Sequence, residues 1–422
     1  MMSVNNNELL NELIKNAESG NSKSQYELAD YYKSTDNISR HIMWLIKSAE
    51  SGNANAQFDL AFYFNQGEIF EQNYTEAVKW YKKAAEQGMP EAQFNLAFIY
   101  ESGEGLNQNY AEAVKWYTKA AKQGLIEAIF NLAILYKTGM GTDTDFETAA
   151  KLFRTAAVRG HAESQYNLGI LYFIGEGVEK NLFDAKRWFM EAAEQGNVKA
   201  QFNLAVCYQE LGTNQDLVYA FKLYEKAAQG GLEDAQLNLA QCYEKGIGVR
   251  TDTSKAVEIY KAIAQKGNAI AQYDLAVCYK DGTGVRKNWS EAVKWFSKSA
   301  TQGHIDARYQ LARCYENGTG VEKDLGKAAY WYVRAAMKGN ANAQFCLASC
   351  YERGAGVVAD IKKAVMWYQE AVKSGVPGAQ CNLAILYYTG NGVDKDLEKA
   401  RELFRMSAAQ GNKVARDYLT KF

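Results

Sequence analysis

The sequence predicts an all-α fold, a solenoid of stacked antiparallel helix pairs, and three observations carry that expectation. Leucine recurs as Leu28, Leu60, Leu96, Leu132, Leu168, Leu204, Leu239, Leu275, Leu311, Leu347, Leu383 and Leu419, at intervals of 36 residues apart from one of 32 and one of 35. A fixed period in this range marks supersecondary units that bury their apolar faces by stacking. Tyrosine stands four residues after the leucine in ten of the first eleven copies, with Phe64 the exception, which is the spacing of one helical stripe. Only two prolines occur, Pro90 and Pro377, so little interrupts helix.

Taken in order, the chain reads as one array. Residues 8 to 20 match only the second helix of a unit, so 1–20 is expected to be an N-terminal capping helix. Residues 21–411 hold eleven helix pairs, and 412–422 match only a first helix, a C-terminal cap. Residues 90 to 124 serve as the type copy. Ala92, Leu96 and Tyr100 form the inward stripe of the first helix, and Gly103 and Gly105 end it in a turn. The second helix places Ala113, Trp116, Tyr117, Ala120 and Ala121 on one face and closes at Gly124. Small alanines allow close approach while the aromatics fill the space between repeats. Trp44, Trp80, Trp188, Trp295, Trp331 and Trp367 repeat the place of Trp116, which reads as core packing. Three residues before each second-helix alanine lies an apolar residue read as a loop plug, such as Tyr74, Tyr110 or Trp289. The region from Ser34 to Ser39 is four residues short and that from Glu210 to Gln215 one short; both are expected to alter only the inter-helix turn.

Composition excludes several function classes. Net charge is −1, so no global field draws nucleic acid or an anionic membrane. The start lacks a basic segment followed by an apolar one, so no secretory signal is expected. No apolar run approaches the ~18–20 residues of a membrane span. Five of the seven cysteines, Cys207, Cys242, Cys278, Cys314 and Cys350, lie three residues after the anchor leucine, where other copies carry Ile or Leu. They read as small core hydrophobes. Equivalent residues of stacked units sit about 8–10 Å apart, beyond disulfide reach. A reducing, cytoplasmic setting fits. No metal-ligand spacing and no phosphate loop between strand and helix occurs, so no catalytic residue, cofactor or metal is expected. His41 falls in a second helix, and His161 and His304 follow inter-repeat glycines.

The pattern Ala-Gln-aromatic-Asn-Leu-Ala-x-x-Tyr, then Gly-x-Gly-Val, then Ala-x-x-Trp, Ala-Ala and Gly, resembles the Sel1-like repeat family, a longer-unit relative of the tetratricopeptide repeats. The resemblance covers residues 8 to 422. It implies a right-handed α/α superhelix acting as a scaffold or adaptor, with no catalytic centre. Secreted members carry two cysteines per repeat; this chain has one core cysteine at most.

Binding is expected on the first-helix side facing away from Leu96 and Tyr100, which the resemblance places in a concave groove for peptides or helical segments. An aromatic ladder there, including Phe58, Phe94 and Phe130, reads as inter-helix packing or as a partial ligand surface. A carboxamide ladder, Asn95, Asn131, Asn167, Asn203 and Asn238, suits an extended backbone or else bonds a neighbouring helix. A variable ladder carries Phe98, Ile134, Ile170 and Val206, then Gln241 and Arg313, with Lys280 beside it. The expected partner is a protein or peptide met by a monomer, with no nucleic acid and no membrane insertion. Two other readings stand beside this: a bacterial effector engaging host proteins, and a direct-contact regulator of a partner enzyme.

Overall fold

The computed structural model describes residues 2–422, with side chains from Glu8 onward. Among the described residues there are twenty-four α-helices and no strand, an α solenoid of antiparallel pairs. The chain falls into two compact units, Met1–Glu210 and Leu211–Phe422. Within each, a helix packs on the helices beside it in sequence.

Local chemistry fixes where each helix begins and ends. Second helices open behind Asn or Asp, apart from Asn214–Gln229 behind Thr213: Asn109 Oδ1 accepts from the Glu112 amide at 3.1 Å, and Asp360 Oδ1 accepts from Lys363 at 3.0 Å. The cap residue also closes the loop, since the Asn109 N–H donates to the Tyr100 carbonyl at 2.8 Å. First helices open behind Asn53, Asn268 or Asn340. His161 and His304 are caps of the same kind, their Nδ1 accepting from the Ser164 and Ala307 amides. Helices Pro90–Ser102 and Pro377–Thr389 have no side-chain cap and start on proline, which has no N–H to satisfy.

The anchor leucines from Leu28 to Leu383 are buried, as are the second-helix alanines Ala113 and Ala120, while Ala121 is half-buried. In the first unit one continuous core runs from Ala17 to Leu135. Trp44, Trp80, Trp116 and Trp188 are buried, while Trp295, Trp331 and Trp367 are half-buried. Lysines lie over several indoles, 3.7 Å from the Trp116 ring centre for Lys119 and 4.2 Å from Trp295 for Lys298. All five cysteines after the anchor leucine are buried. Burial pushes their thiols up, to about 12 at Cys207, Cys278 and Cys350 and about 11 at Cys242 and Cys314, so they are held protonated as apolar packing groups.

Two expectations need correction. The apolar residues read as loop plugs are instead the first residues of the second helices, as in Tyr110–Lys122 and Trp289–Thr301. Their place follows from the glycine pair. Gly103 takes the left-handed C-cap, and Gly105, at φ +73°, lies so close to Tyr74 of the preceding repeat that a Cβ would collide with it. The same seat joins Gly320 to Trp289 and Gly356 to Leu325. The second correction concerns the short loops. The first leaves three residues between Ser22–Ser34 and Ile38–Glu50, and only the turn changes. The other leaves Gly212 and Thr213, and both helices lengthen, to Val198–Leu211 and Asn214–Gln229.

Candidate functional site on the first-helix face

Opposite the anchor leucine, each first helix presents a stripe whose chemistry the second helix partly consumes. The half-buried ring two residues before the leucine packs on a buried second-helix ring. Phe94 meets Tyr117 at 5.6 Å between ring centres, and Phe345 meets Tyr368 at 6.1 Å. This ladder therefore packs between helices, and Phe94 also reaches the groove described below.

The carboxamides are drawn into a relay. Tyr117 donates its hydroxyl to Glu101 Oε2 at 2.7 Å and accepts from Asn131 Nδ2 of the next repeat at 3.0 Å. Tyr368 repeats this with Glu352 at 2.6 Å and Asn382 at 2.9 Å. Burial and the adjoining carboxylate hold both hydroxyls well above the usual tyrosine range. Asn95 donates to Tyr81, whose hydroxyl burial pushes up to about 12. Where the second-helix residue is Phe153, Asn167 turns elsewhere. It is buried, donates to the Glu163 carbonyl and accepts from Lys137 at 3.1 Å. Asn203 bonds the Tyr166 hydroxyl, and Asn238 is half-buried.

The variable ladder is the outward one. Phe62 and Phe98 are exposed, at 38% and 47%, and Ile134, Ile170, Val206 and Gln241 are half-buried. In the first unit Phe62, Phe98, Asn95 and Asn131 line one groove of about 330 Å³, floored by Tyr81, Phe94 and Ile99. In the second unit Lys280 and Arg313 line a separate cavity of about 230 Å³ with Trp289 and Gln310. Arg313 donates to the Tyr309 hydroxyl at 3.1 Å.

Asp274 departs from the relay. It holds the asparagine position, yet Tyr260 donates its hydroxyl to Glu244, and Asp274 Oδ2 is buried with no partner. Burial and the Glu244 charge push its carboxyl up to about 6. Cys346 stands in the same position beside Tyr332.

Sequence reasoning missed this coupling although it is written in the chain. Tyr117, Tyr260, Tyr332 and Tyr368 face Glu101, Glu244, Glu316 and Glu352, whereas Phe153 and Phe296 occur with Lys137 and Lys280. A glutamate accepts a hydroxyl proton; a phenyl ring has none to give. Among the described residues no group of three His, Cys, Asp or Glu is placed to hold a metal ion, and no helix is long and apolar enough to cross a membrane.

The Sel1 repeat pattern matches eleven consecutive segments, from 22–53 and 54–89 through to 377–412. Among solved structures, the chain resembles a protective antigen present in uropathogenic Escherichia coli strains, described as displaying an SLR fold. Identity there is 34%, covering 97% of this chain and 89% of that one, with a TM-score of 0.77. A Sel1 repeat protein from Oxalobacter formigenes is 27% identical over 86% of this chain and 93% of that one, with a TM-score of 0.46. No curated protein matches the sequence. Sel1 repeat solenoids are generally protein-interaction scaffolds, and their fold is typically non-catalytic.

Proposed function

Since the chain belongs to the Sel1 repeat family, we propose that it is a non-catalytic scaffold binding a peptide or helical segment of a partner protein on its first-helix face. The groove between Phe62 and Phe98 carries this reading. These are exposed aromatics at a position whose equivalents vary from copy to copy, beside asparagines already fixed by Tyr81 and Tyr117. A surface held rigid by buried relays has little ordering entropy left to lose on binding, so several modest contacts add up to useful affinity. Replacing Phe98, Ile134 and Ile170 together by serine tests it. Affinity purification should recover the wild-type partner set without its main component, while the helical spectrum stays intact. Unchanged partners with an intact spectrum reject the groove.

A second reading, an effector engaging host proteins, draws on the relative described as a protective antigen. Fractionation of the producing cells separates the two: protein confined to the cytoplasm supports the scaffold alone, and export supports the effector.

A further inference from the structure

The tryptophan position of the second helix is filled in seven repeats and holds an aliphatic residue in four, Leu152, Leu223, Ile259 and Leu403, of which Leu223 and Ile259 are successive. The structure shows what the vacancy at Ile259 leaves. A cleft of about 440 Å³ opens beside Ile259, lined by Ala228 and Leu239 and edged by Glu225, Glu258 and Lys266. Two periods later Trp331 packs on the cluster that contains Ala300 and Leu311, the counterparts of Ala228 and Leu239. The cleft is thus the seat of an absent indole, and Leu239 at 9% is the most exposed of the buried anchor leucines.

Charge around the seat is also reversed. Three filled seats, those of Trp80, Trp116 and Trp295, have lysine one residue before and three after the tryptophan, with Lys79 at 5.5 Å and Lys83 at 4.0 Å from the Trp80 ring centre. At Ile259 those neighbours are Glu258 and Ala262, and Glu225 adds a second carboxylate. An arriving aromatic ring meets apolar walls, but it must bring its own cations to match the acidic edge.

We propose that this cleft on the second-helix side binds a basic amphipathic segment of a partner protein through one tryptophan side chain. The indole fills the vacant seat, its N–H donates to a carboxylate at the edge, and flanking lysines or arginines meet Glu225 and Glu258. The site lies on the opposite helix of the repeat from the groove proposed above, and it stands or falls independently of it.

The test uses a peptide whose chemistry the chain supplies, the segment Tyr110–Lys122 with Lys115, Trp116 and Lys119, titrated by calorimetry against the full-length protein. Saturable binding below about 1 mM is expected, weakened about tenfold by Trp116→Ala in the peptide and by lysine-to-glutamate exchange there. In the protein, Ile259→Trp fills the seat: binding should fall about tenfold while the melting temperature rises. Glu258→Lys leaves the seat open and should weaken binding by charge alone, so it serves if the tryptophan variant does not fold. Absence of saturable binding, or binding indifferent to both Ile259→Trp and Glu258→Lys, overturns the proposal.

Discussion

A buried tyrosine hydroxyl needs an acceptor, and the repeats meet that need with the residue one step past the inward tyrosine of the first helix. Tyr368→Phe leaves Glu352 and Asn382 without their shared partner. It should cost about 1–2 kcal/mol in chemical denaturation. Adding Glu352→Lys should recover part of that loss, because Phe296 already coexists with Lys280. Two additive losses in the double-mutant cycle would contradict the coupling. Asp274 gives a pH-dependent counterpart. Its folded pKa, about 6, lies above the ordinary carboxylate value, so the protonated form is favoured in the fold. Its contribution to stability is complete below about pH 4 and is lost as pH rises through about 6. Asp274→Asn supplies a permanent donor toward Tyr260. It should stabilise by about 1–2 kcal/mol at pH 7.5 and have little effect at pH 4. A pH-independent difference would reject this. The anchor leucines, tyrosines and core cysteines were legible in sequence because burial imposes a period. The asparagines were ambiguous, since an amide bonding a tyrosine and one awaiting a ligand have the same spacing.

Between elements, the repeats are joined by glutamine. Gln93 Nε2 donates to the Ala85 carbonyl at the end of the preceding second helix, and its Oε1 accepts from Gln123, which closes its own repeat. The pairs Gln57 with Gln87, Gln165 with Gln195, Gln272 with Gln302 and Gln380 with Gln410 follow the same rule. At Gln344 the closing residue is Ser374, too short to reach, and Gln344 Oε1 is buried without a partner. Ser374→Gln should therefore stabilise by about 0.5–1.5 kcal/mol, measured as a rise in the denaturation midpoint at constant slope. The seat between repeats predicts the opposite outcome. Gly105→Ala forces a Cβ into Tyr74 and strains φ, and should cost at least about 1–2 kcal/mol. The glycine pairs announced a turn in the sequence. That the second of each pair presses on the helix start of the previous repeat was not legible, because it depends on how one unit overlies the next. Length was misleading at Gly212, where losing one residue removed most of the loop instead of trimming it.

At the scale of the whole molecule, stability is built from neighbour-to-neighbour terms inside each compact unit, so damage stays near its origin. Leu311→Ala removes a fully buried anchor and should cost about 2–5 kcal/mol. Hydrogen exchange should quicken first in residues 269–376, with the far end of that unit affected less. Uniform acceleration throughout the unit would contradict the one-dimensional picture. The architecture was legible almost entirely, since a period of thirty-six residues leaves few other folds open. Surface function was not, because the informative places are where copies differ: Phe98 in the groove and Ile259 in the vacant seat. The lysine-covered tryptophans have a further, optical consequence. Seven of the eight indoles occupy equivalent seats in different repeats, four buried and three half-buried, and several capped by a cation. Retaining one indole at a time, with the others changed to phenylalanine, turns its emission wavelength into a local thermometer, so the order in which the repeats come apart can be read as colour.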